Sequence, residues 1–210
     1  MDNKWTQLPS DDRINQIVDA LKKNNIETFV VENGEEAKKK FYELVPEKSA
    51  VFTNTSTTFD QLGLTEEINN SGKFISLKNE VVKLAKEKPD DGILRKQVGS
   101  AMPYAVGSVH AITADGHVVI ASGSGSQIPG YAYGADHVVW IASANKLVGD
   151  VTEGLKRIYE YILPLEDARM KKVYGPESGS SPRKILIYNA ESDYAKDRTK
   201  LIIVKEVLGF

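Results

Sequence analysis

Two polar loops contain most of the side chains that could bind a ligand. The first contains Asn54, Thr55, Ser56 and Thr57, and the second contains Ser122, Gly123, Ser124, Gly125, Ser126 and Gln127. Glycine lets a backbone approach a ligand closely, and exposed N–H and hydroxyl groups can bind an anion. Each loop follows an apolar run that is typical of a strand. We therefore expect the two loops to converge on one pocket for a small anionic metabolite.

Each loop also has a simpler interpretation. Thr55 or Ser56 can cap a following helix, and we favour this role when the first loop is considered alone. Capping or turn formation accounts for fewer of the six residues from Ser122 to Gln127. Ligand binding is therefore the favoured interpretation of the second loop.

Gly107, Ser108 and His110 complete the candidate binding site. Ser108 and His110 are two residues apart in a predicted strand, so their side chains share a face, which we place at the floor of the pocket. Histidine can act as an acid or base near neutral pH. However, no Asp or Glu is spaced to orient His110, which favours a half-buried structural role. No catalytic residue is assigned.

Residues near the second loop leave alternatives open. Tyr131 and Tyr133 can wall the pocket or pack beneath the sheet, and the two roles are equally favoured. Lys156–Arg157 is interpreted as a solvated basic cluster near a helix end, where a cation is stabilised by the helix dipole. Arg169 belongs to a similar cluster and could reach an acidic ligand.

Several kinds of cofactor site lack the necessary residues. The sequence has no cysteine, which excludes disulfides, thiolate nucleophiles and Cys-ligated zinc or iron–sulfur clusters within this chain. The three histidines form no H-x-x-x-H pair, and there is no P-loop motif. Gly123-x-Gly125 is followed by Ile128 where the dinucleotide fingerprint needs glycine. We predict no cofactor and no metal.

Composition limits the class of protein further. A length of 210 residues, with 41% hydrophobic residues, suits a single α/β domain spanning residues 1–210. The formal net charge of −2 argues against a nucleic-acid partner. No apolar run is long enough to span a membrane, and Met1–Ser10 does not resemble a signal peptide. We expect a cytoplasmic protein.

Strand and helix patterns alternate along the chain. Helices are predicted to begin after Ser10, Asn33 and Asp150, the last one ending at Pro164, and within 57–68, 79–88 and 93–100. Strands are predicted at 26–31, 50–52, 74–77, 137–142, 184–188 and 200–204, with a hairpin in 104–122 whose Asp115-Gly116 suits a type I′ turn. This order predicts a three-layer α/β fold, mostly parallel, with an inserted β-hairpin and a central strand at 137–142.

The sequence resembles the LUD-domain, or lactate-utilisation, family. The resemblance is densest between Gly107 and Arg169 and rests on the segments Gly107–Thr113, Ser122–Ser126, Tyr133–Gly134, His137–Val139, Asn145–Val148, Pro164–Leu165, Ala168–Arg169 and Val207–Phe210. It implies a fold like ribose-5-phosphate isomerase and the coenzyme A transferases. It also implies a role in oxidising lactate to pyruvate alongside iron–sulfur oxidoreductase subunits. The transferase glutamate motif, the isomerase D-G-A-D-E motif and the cysteine-rich segment of some relatives are absent.

Three functions are compatible with these residues. The favoured one is an accessory subunit of lactate or organic-acid utilisation that binds a small anion, and it leaves a homo-oligomer open. The second is a stand-alone enzyme acting on a sugar phosphate or acyl thioester. The third is an assembly module whose glycine loop is structural.

Overall fold

A six-stranded sheet forms the centre of the computed structural model, which describes residues 3–210. Its strand order is β1-β9-β7-β4-β2-β3, and every pairing is parallel. The strands are β1 Glu27–Val31, β2 Ala50–Thr53, β3 Ile75–Ser76, β4 Met102–Gly107, β7 Ala135–Ser143 and β9 Thr199–Val204. A second, antiparallel sheet has the order β5-β6-β8, formed by Ala111–Ile112, Val118–Ser122 and Lys184–Tyr188.

Within the described residues, eight α-helices connect and cover the strands. They are α1 Asp11–Lys23, α2 Gly34–Leu44, α3 Thr57–Gln61, α4 Leu64–Asn70, α5 Leu77–Glu87, α6 Gly92–Val98, α7 Val151–Arg157 and α8 Leu163–Tyr174. The predicted caps are present: Ser10, Asn33 and Asp150 each accept a backbone N–H of the first helical turn. None of the helices within residues 3–210 is both long and apolar enough to cross a membrane.

Strand β7 shows how the layers are built. Val138, Trp140 and Ala142 pack on one face with α1 and the small sheet, whereas Val139 and Ile141 pack on the other face with α2, α3 and α4. The far face of the small sheet packs against α7. The predicted three-layer α/β architecture and the central position of residues 137–142 are therefore confirmed.

The predicted hairpin is divided between the two sheets. Residues 104–107 belong to β4 of the large sheet, and the chain enters the small sheet only at β5, so Ser108–His110 forms the crossing. The expectation of a type I′ turn is wrong, because Gly116 has a φ of +80° while Asp115 has no positive φ. Lys184–Tyr188 extends the hairpin into a third strand instead of joining the large sheet.

Two predicted helix boundaries also differ from the structure. The helix expected over 57–68 is two helices, separated at Gly63, whose φ of +72° interrupts the helical backbone. The helix from Asp150 does not end at Pro164 but continues to Tyr174 through a π-helical turn at Ile158–Ile162. Proline lacks an N–H, and the change in hydrogen-bond register at this turn lets the helix continue past it.

Replacing Val139 with aspartate tests the position of the central strand. Val139 is 1% exposed, so Val139→Asp would bury an unpaired carboxylate and should cost several kcal/mol of stability. His137→Asp, on the exposed part of the same strand, is the matched control. Thermal and urea unfolding measure both, and an unchanged melting temperature for Val139→Asp would contradict the central position.

Candidate functional site

A cavity of about 920 Å³ lies between the carboxyl edge of the large sheet and the small sheet. Most of the predicted site residues line it: Asn54, Thr55, Ser56, Thr57, Ser108, His110, Ser122, Gly123, Ser124, Ser126 and Gln127. Gly107 and Gly125 do not belong to its wall. The two loops come together in a different way from the one expected, because they follow strands of two different sheets. The cavity therefore lies between sheets and not along one edge.

The first loop contributes both structure and cavity surface. Asn54 extends the sheet by donating its N–H to the carbonyl of Val106 at 2.9 Å. Ser56 caps α3, as its hydroxyl accepts the N–H of Phe59 at 3.3 Å. The capping interpretation thus holds for Ser56, while Thr58, the second residue of the helix, places a buried hydroxyl on the cavity.

The second loop is ordered by its own side chains. The Ser122 hydroxyl accepts the N–H of Gly125 at 2.9 Å, and the Gln127 amide donates to the carbonyl of Ala121 at 2.9 Å. Gly125 has a φ of +88° and packs against the stem of Lys184, which explains its absence from the wall. Several hydroxyls of this loop are therefore engaged within it.

Lys146 is the central polar group of the cavity. Its residue is 1% exposed, and Nζ donates to the Ser108 hydroxyl at 3.0 Å and to the Thr58 hydroxyl at 3.2 Å. Lys146 forms no ion pair with a carboxylate of the described chain. Burial, followed by the charge of Arg157, lowers the pKa of Lys146 well below its ordinary value.

Arg157 is a second buried cation, and it lies behind the floor of the cavity formed by Ser108 and His110. It donates to the carbonyl of His110 at 2.7 Å and lies 5.2 Å from the centre of the Tyr161 ring. Its Nε and Nη2 atoms have no hydrogen-bond partner within residues 3–210. Burial lowers its pKa to about 10, so it stays charged at neutral pH. The prediction that Lys156–Arg157 is a solvated cluster is wrong for Arg157, because the side chain lies on the buried face of α7.

His110 is oriented by the backbone instead of by a carboxylate. Its Nδ1 accepts the N–H of Ala121 at 3.2 Å, so a neutral ring carries its proton on Nε2 as a donor. Burial lowers the pKa of His110 to about 3, and the charges of Lys146 and Arg157 contribute. His110 is therefore a neutral hydrogen-bond donor on the cavity wall at physiological pH.

Two further basic residues lie on the cavity wall. Lys78 donates to the Thr55 hydroxyl at 3.4 Å, and burial lowers its pKa, an effect that Asp60 opposes and Arg169 reinforces. Arg169 forms a bidentate pair with Glu166, at 2.6 and 2.7 Å. Arg169 thus lies on the cavity wall, but it is neutralised by a carboxylate.

The aromatic pair does not form the cavity wall. Tyr131 is fully buried and packs edge-on against Trp140, with ring centroids 5.4 Å apart, whereas Tyr133 is 86% exposed. Tyr131 explains why position 107 is glycine: a Cβ there would lie 2.3 Å from the Tyr131 hydroxyl. Gly107 therefore allows Tyr131 to pack closely against the backbone beneath the site.

The two buried cations were missed by sequence reasoning, although a signal for each was present. Lys146 lies between the apolar run 138–142 and the apolar pair Leu147–Val148, where a charged side chain is unusual. Arg157 is three residues after Gly154 and next to Ile158, on the apolar face of its helix. A charge within a buried pattern indicates a specific partner or ligand.

The groups on the cavity wall favour anion binding. They include the buried amine of Lys146, a neutral imidazole donor and hydroxyls. Charges buried without a partner are costly, and a bound anion would offset this cost. Within residues 3–210, no group of three or more His, Asp or Glu side chains could hold a metal ion.

Replacing Gly107 with alanine tests the packing role. Because the Tyr131 ring is held against Trp140, it cannot move freely, and Gly107→Ala should cost about 1–3 kcal/mol of stability. Gly123→Ala is the matched control, since its new Cβ would lie 3.4 Å from the nearest atom. Urea unfolding compares the two, and equal stability would contradict the packing role.

The pH dependence of stability tests the environment of His110. An unfolded chain protonates histidine near pH 6.5, as in model peptides. Folded His110 resists protonation until about pH 3, so it removes stability as the pH falls through this window. His110→Asn keeps an acceptor for the Ala121 N–H and should lose less stability between pH 7 and about pH 4.5. Parallel declines for both proteins would contradict the lowered pKa.

Comparisons with known proteins agree with this architecture. The family model of the LUD domain matches residues 14–204. The fold is similar to the crystal structure of a DUF162 family protein from Deinococcus radiodurans, with a TM-score of 0.55 and 9% sequence identity, over 94% of this chain and 99% of that chain. No functionally curated protein shows significant sequence similarity to the present chain. Since the family model covers most of its length, the chain belongs to the LUD-domain family.

Proposed function

We propose that this LUD-domain protein acts in lactate or other organic-acid utilisation by binding a small organic anion in the cavity between its sheets. The observation that carries the proposal is the buried amine of Lys146 on the cavity wall, with Arg157 buried behind it, neither of which has a carboxylate partner within residues 3–210. Buried basic groups of this kind favour a ligand that supplies the missing negative charge.

The wall groups suit a 2-hydroxy or 2-oxo acid. These compounds carry a carboxylate beside an oxygen that accepts or donates a hydrogen bond. The Nε2–H of His110 and the third N–H of a protonated Lys146 are donors for that pair of groups. Ser108 and the hydroxyls of the second loop border the same space.

An accessory role follows from the chemistry that this chain lacks. Oxidation of lactate to pyruvate releases two electrons, and the sequence has no cysteine with which to hold an iron–sulfur cluster. We therefore assign electron transfer to iron–sulfur oxidoreductase subunits that work with this chain in the cytoplasm. The LUD-domain chain would bind and position the organic acid.

The size of the cavity favours a second candidate, an enzyme acting on a sugar phosphate or an acyl thioester. A volume of about 920 Å³ is near the upper end for ligand pockets and exceeds the needs of a three-carbon acid. Lys78 offers a further basic group for a phosphate, whereas Arg169 on the same wall is paired with Glu166. A longer ligand could place one anionic group at Lys146 and another near Lys78.

Removing the Lys146 amine tests the anion site. A hydrogen bond to a charged group contributes about 1.5–3 kcal/mol, so Lys146→Met should weaken binding of pyruvate or L-lactate by about tenfold or more. Lys23→Met, at the exposed end of α1, removes the same charge away from the cavity and should leave binding unchanged. Isothermal titration calorimetry with pyruvate, L-lactate, ribose 5-phosphate and inorganic phosphate measures each affinity.

The panel separates the two candidates. Binding of the organic acids that depends on Lys146 supports the first function. Preference for ribose 5-phosphate over both acids and inorganic phosphate supports the second. Failure of the correctly folded wild-type protein to bind any of these compounds would contradict the anion site.

A further inference from the structure

The amine of Lys146 occupies an unusual position for a side chain whose role is only electrostatic. Its two oxygen partners, Ser108 and Thr58, are neutral hydroxyls, and the nearby charge is the cation Arg157. A charged ammonium group is poorly solvated there, because two hydroxyls replace a full hydration shell. The environment therefore favours the uncharged amine.

We propose that Lys146 is a nucleophile that forms an imine with the carbonyl carbon of a 2-oxo acid bound in the cavity. The proposal deepens the proposed function and rests on it, because it names the substrate class as oxo acids and gives the amine a covalent role.

The hydrogen bonds of Lys146 suit this chemistry. A neutral amine has two N–H groups and one lone pair. If the N–H groups are donated to Thr58 Oγ1, at 3.2 Å, and Ser108 Oγ, at 3.0 Å, the lone pair is left without a donor. Both hydroxyls and Lys146 itself line the cavity, so a carbonyl group bound there can approach the nitrogen.

The charge environment supports the same conclusion. Burial and the neighbouring Arg157 both lower the pKa of Lys146, which raises the fraction of uncharged amine at neutral pH. A lysine in an apolar pocket or beside a second cation is a known arrangement for an activated amine. Arg157 retains its proton, since its pKa is lowered only to about 10.

The reaction is balanced without an oxidant or reductant. The Nζ lone pair attacks the carbonyl carbon, the C=O π bond breaks, and the oxygen takes a proton to give a carbinolamine. The nitrogen loses a proton, the C–O bond breaks, and the hydroxyl group takes a further proton to leave as water. The product is a C=N bond to Lys146 and one water molecule, and a proton retained on nitrogen makes the iminium ion.

Other residues of the wall have distinct positions in this step. The hydroxyls of Thr58 and Ser108 lie 3.4 Å apart and both contact Nζ, so they can pass a proton between the amine and the cavity. His110 stays neutral at physiological pH and can donate its Nε2–H to the substrate carboxylate or carbonyl oxygen. The cationic iminium product is stabilised by the adjacent substrate carboxylate.

Reductive trapping tests the proposal directly. The full chain is incubated with pyruvate and sodium cyanoborohydride near neutral pH, and intact mass and peptide mapping locate the reduced adduct. One adduct on Lys146 is expected, forming at least about tenfold faster than on any other lysine, since each unit of lowered pKa raises the neutral fraction about tenfold. Adducts spread evenly over surface lysines would overturn the proposal.

Two variants separate the covalent role of the Lys146 amine from the effect of a positive charge at that position. Lys146→Arg keeps a cation and should still bind pyruvate but form no adduct at position 146. Lys23→Met should behave like the wild type in both assays. Circular dichroism checks folding, and if Lys146→Arg is unfolded, competition by L-lactate replaces it: lactate has no ketone group and should slow trapping without being trapped. Trapping at Lys146 that lactate does not slow would show reaction outside the acid site and overturn the proposal.

Binding and trapping can fail separately. If calorimetry shows pyruvate bound but no adduct forms on Lys146, the imine is disproved while the proposed function stands. If no organic acid binds, the proposed function fails. Glycolaldehyde, an uncharged carbonyl compound, then tests the amine alone: selective trapping at Lys146 supports the nucleophile, and unselective trapping overturns it.

Discussion

Two basic side chains, buried without a carboxylate partner within residues 3–210, constrain the structure around the cavity. Lys146 and Arg157 are held by neutral groups: the hydroxyls of Thr58 and Ser108 for the first, and the carbonyl of His110 for the second. These partners come from α3 and from the crossing between β4 and β5, while Arg157 itself belongs to α7. A buried charge tolerates little misplacement, because each lost hydrogen bond leaves a group that water cannot reach. The elements around the cavity must therefore keep a fixed arrangement.

The crossing at Ser108–His110 links the two sheets to this arrangement. Here the chain leaves a fully parallel sheet and joins an antiparallel one, so adjacent residues belong to different layers of the structure. Val109 is buried in the core, while Ser108 and His110 on either side of it line the cavity. Arg157 stabilises the crossing by donating a hydrogen bond to the His110 carbonyl. Rigid elements thus hold each polar group, which is what a binding site needs in order to be preorganised.

Family membership and local chemistry contribute different parts of the functional account. The LUD-domain match identifies the family, and the similarity at 9% identity concerns the fold alone. The proposals for an organic anion and for imine formation rest instead on the buried cations, the hydroxyls and the neutral histidine. These groups complement a carboxylate beside a carbonyl. The large volume and the additional basic residue Lys78 are the features that favour a larger phosphorylated ligand.

Local patterns in the sequence determined the layer order, the central strand at 137–142, the helix starts at Ser10, Asn33 and Asp150, and the composition of the two polar loops. These features depend on alternation, capping and glycine content over a few residues. Tertiary structure alone decided that residues 104–107 join the large sheet, that the helix continues past Pro164, and that Arg157 is buried. Strand partners, and the burial of a charge, depend on contacts between residues far apart in the chain, which no local pattern encodes. Lys146 illustrates both contributions. The apolar residues near it were visible in the sequence, but only the fold brought its hydroxyl partners together.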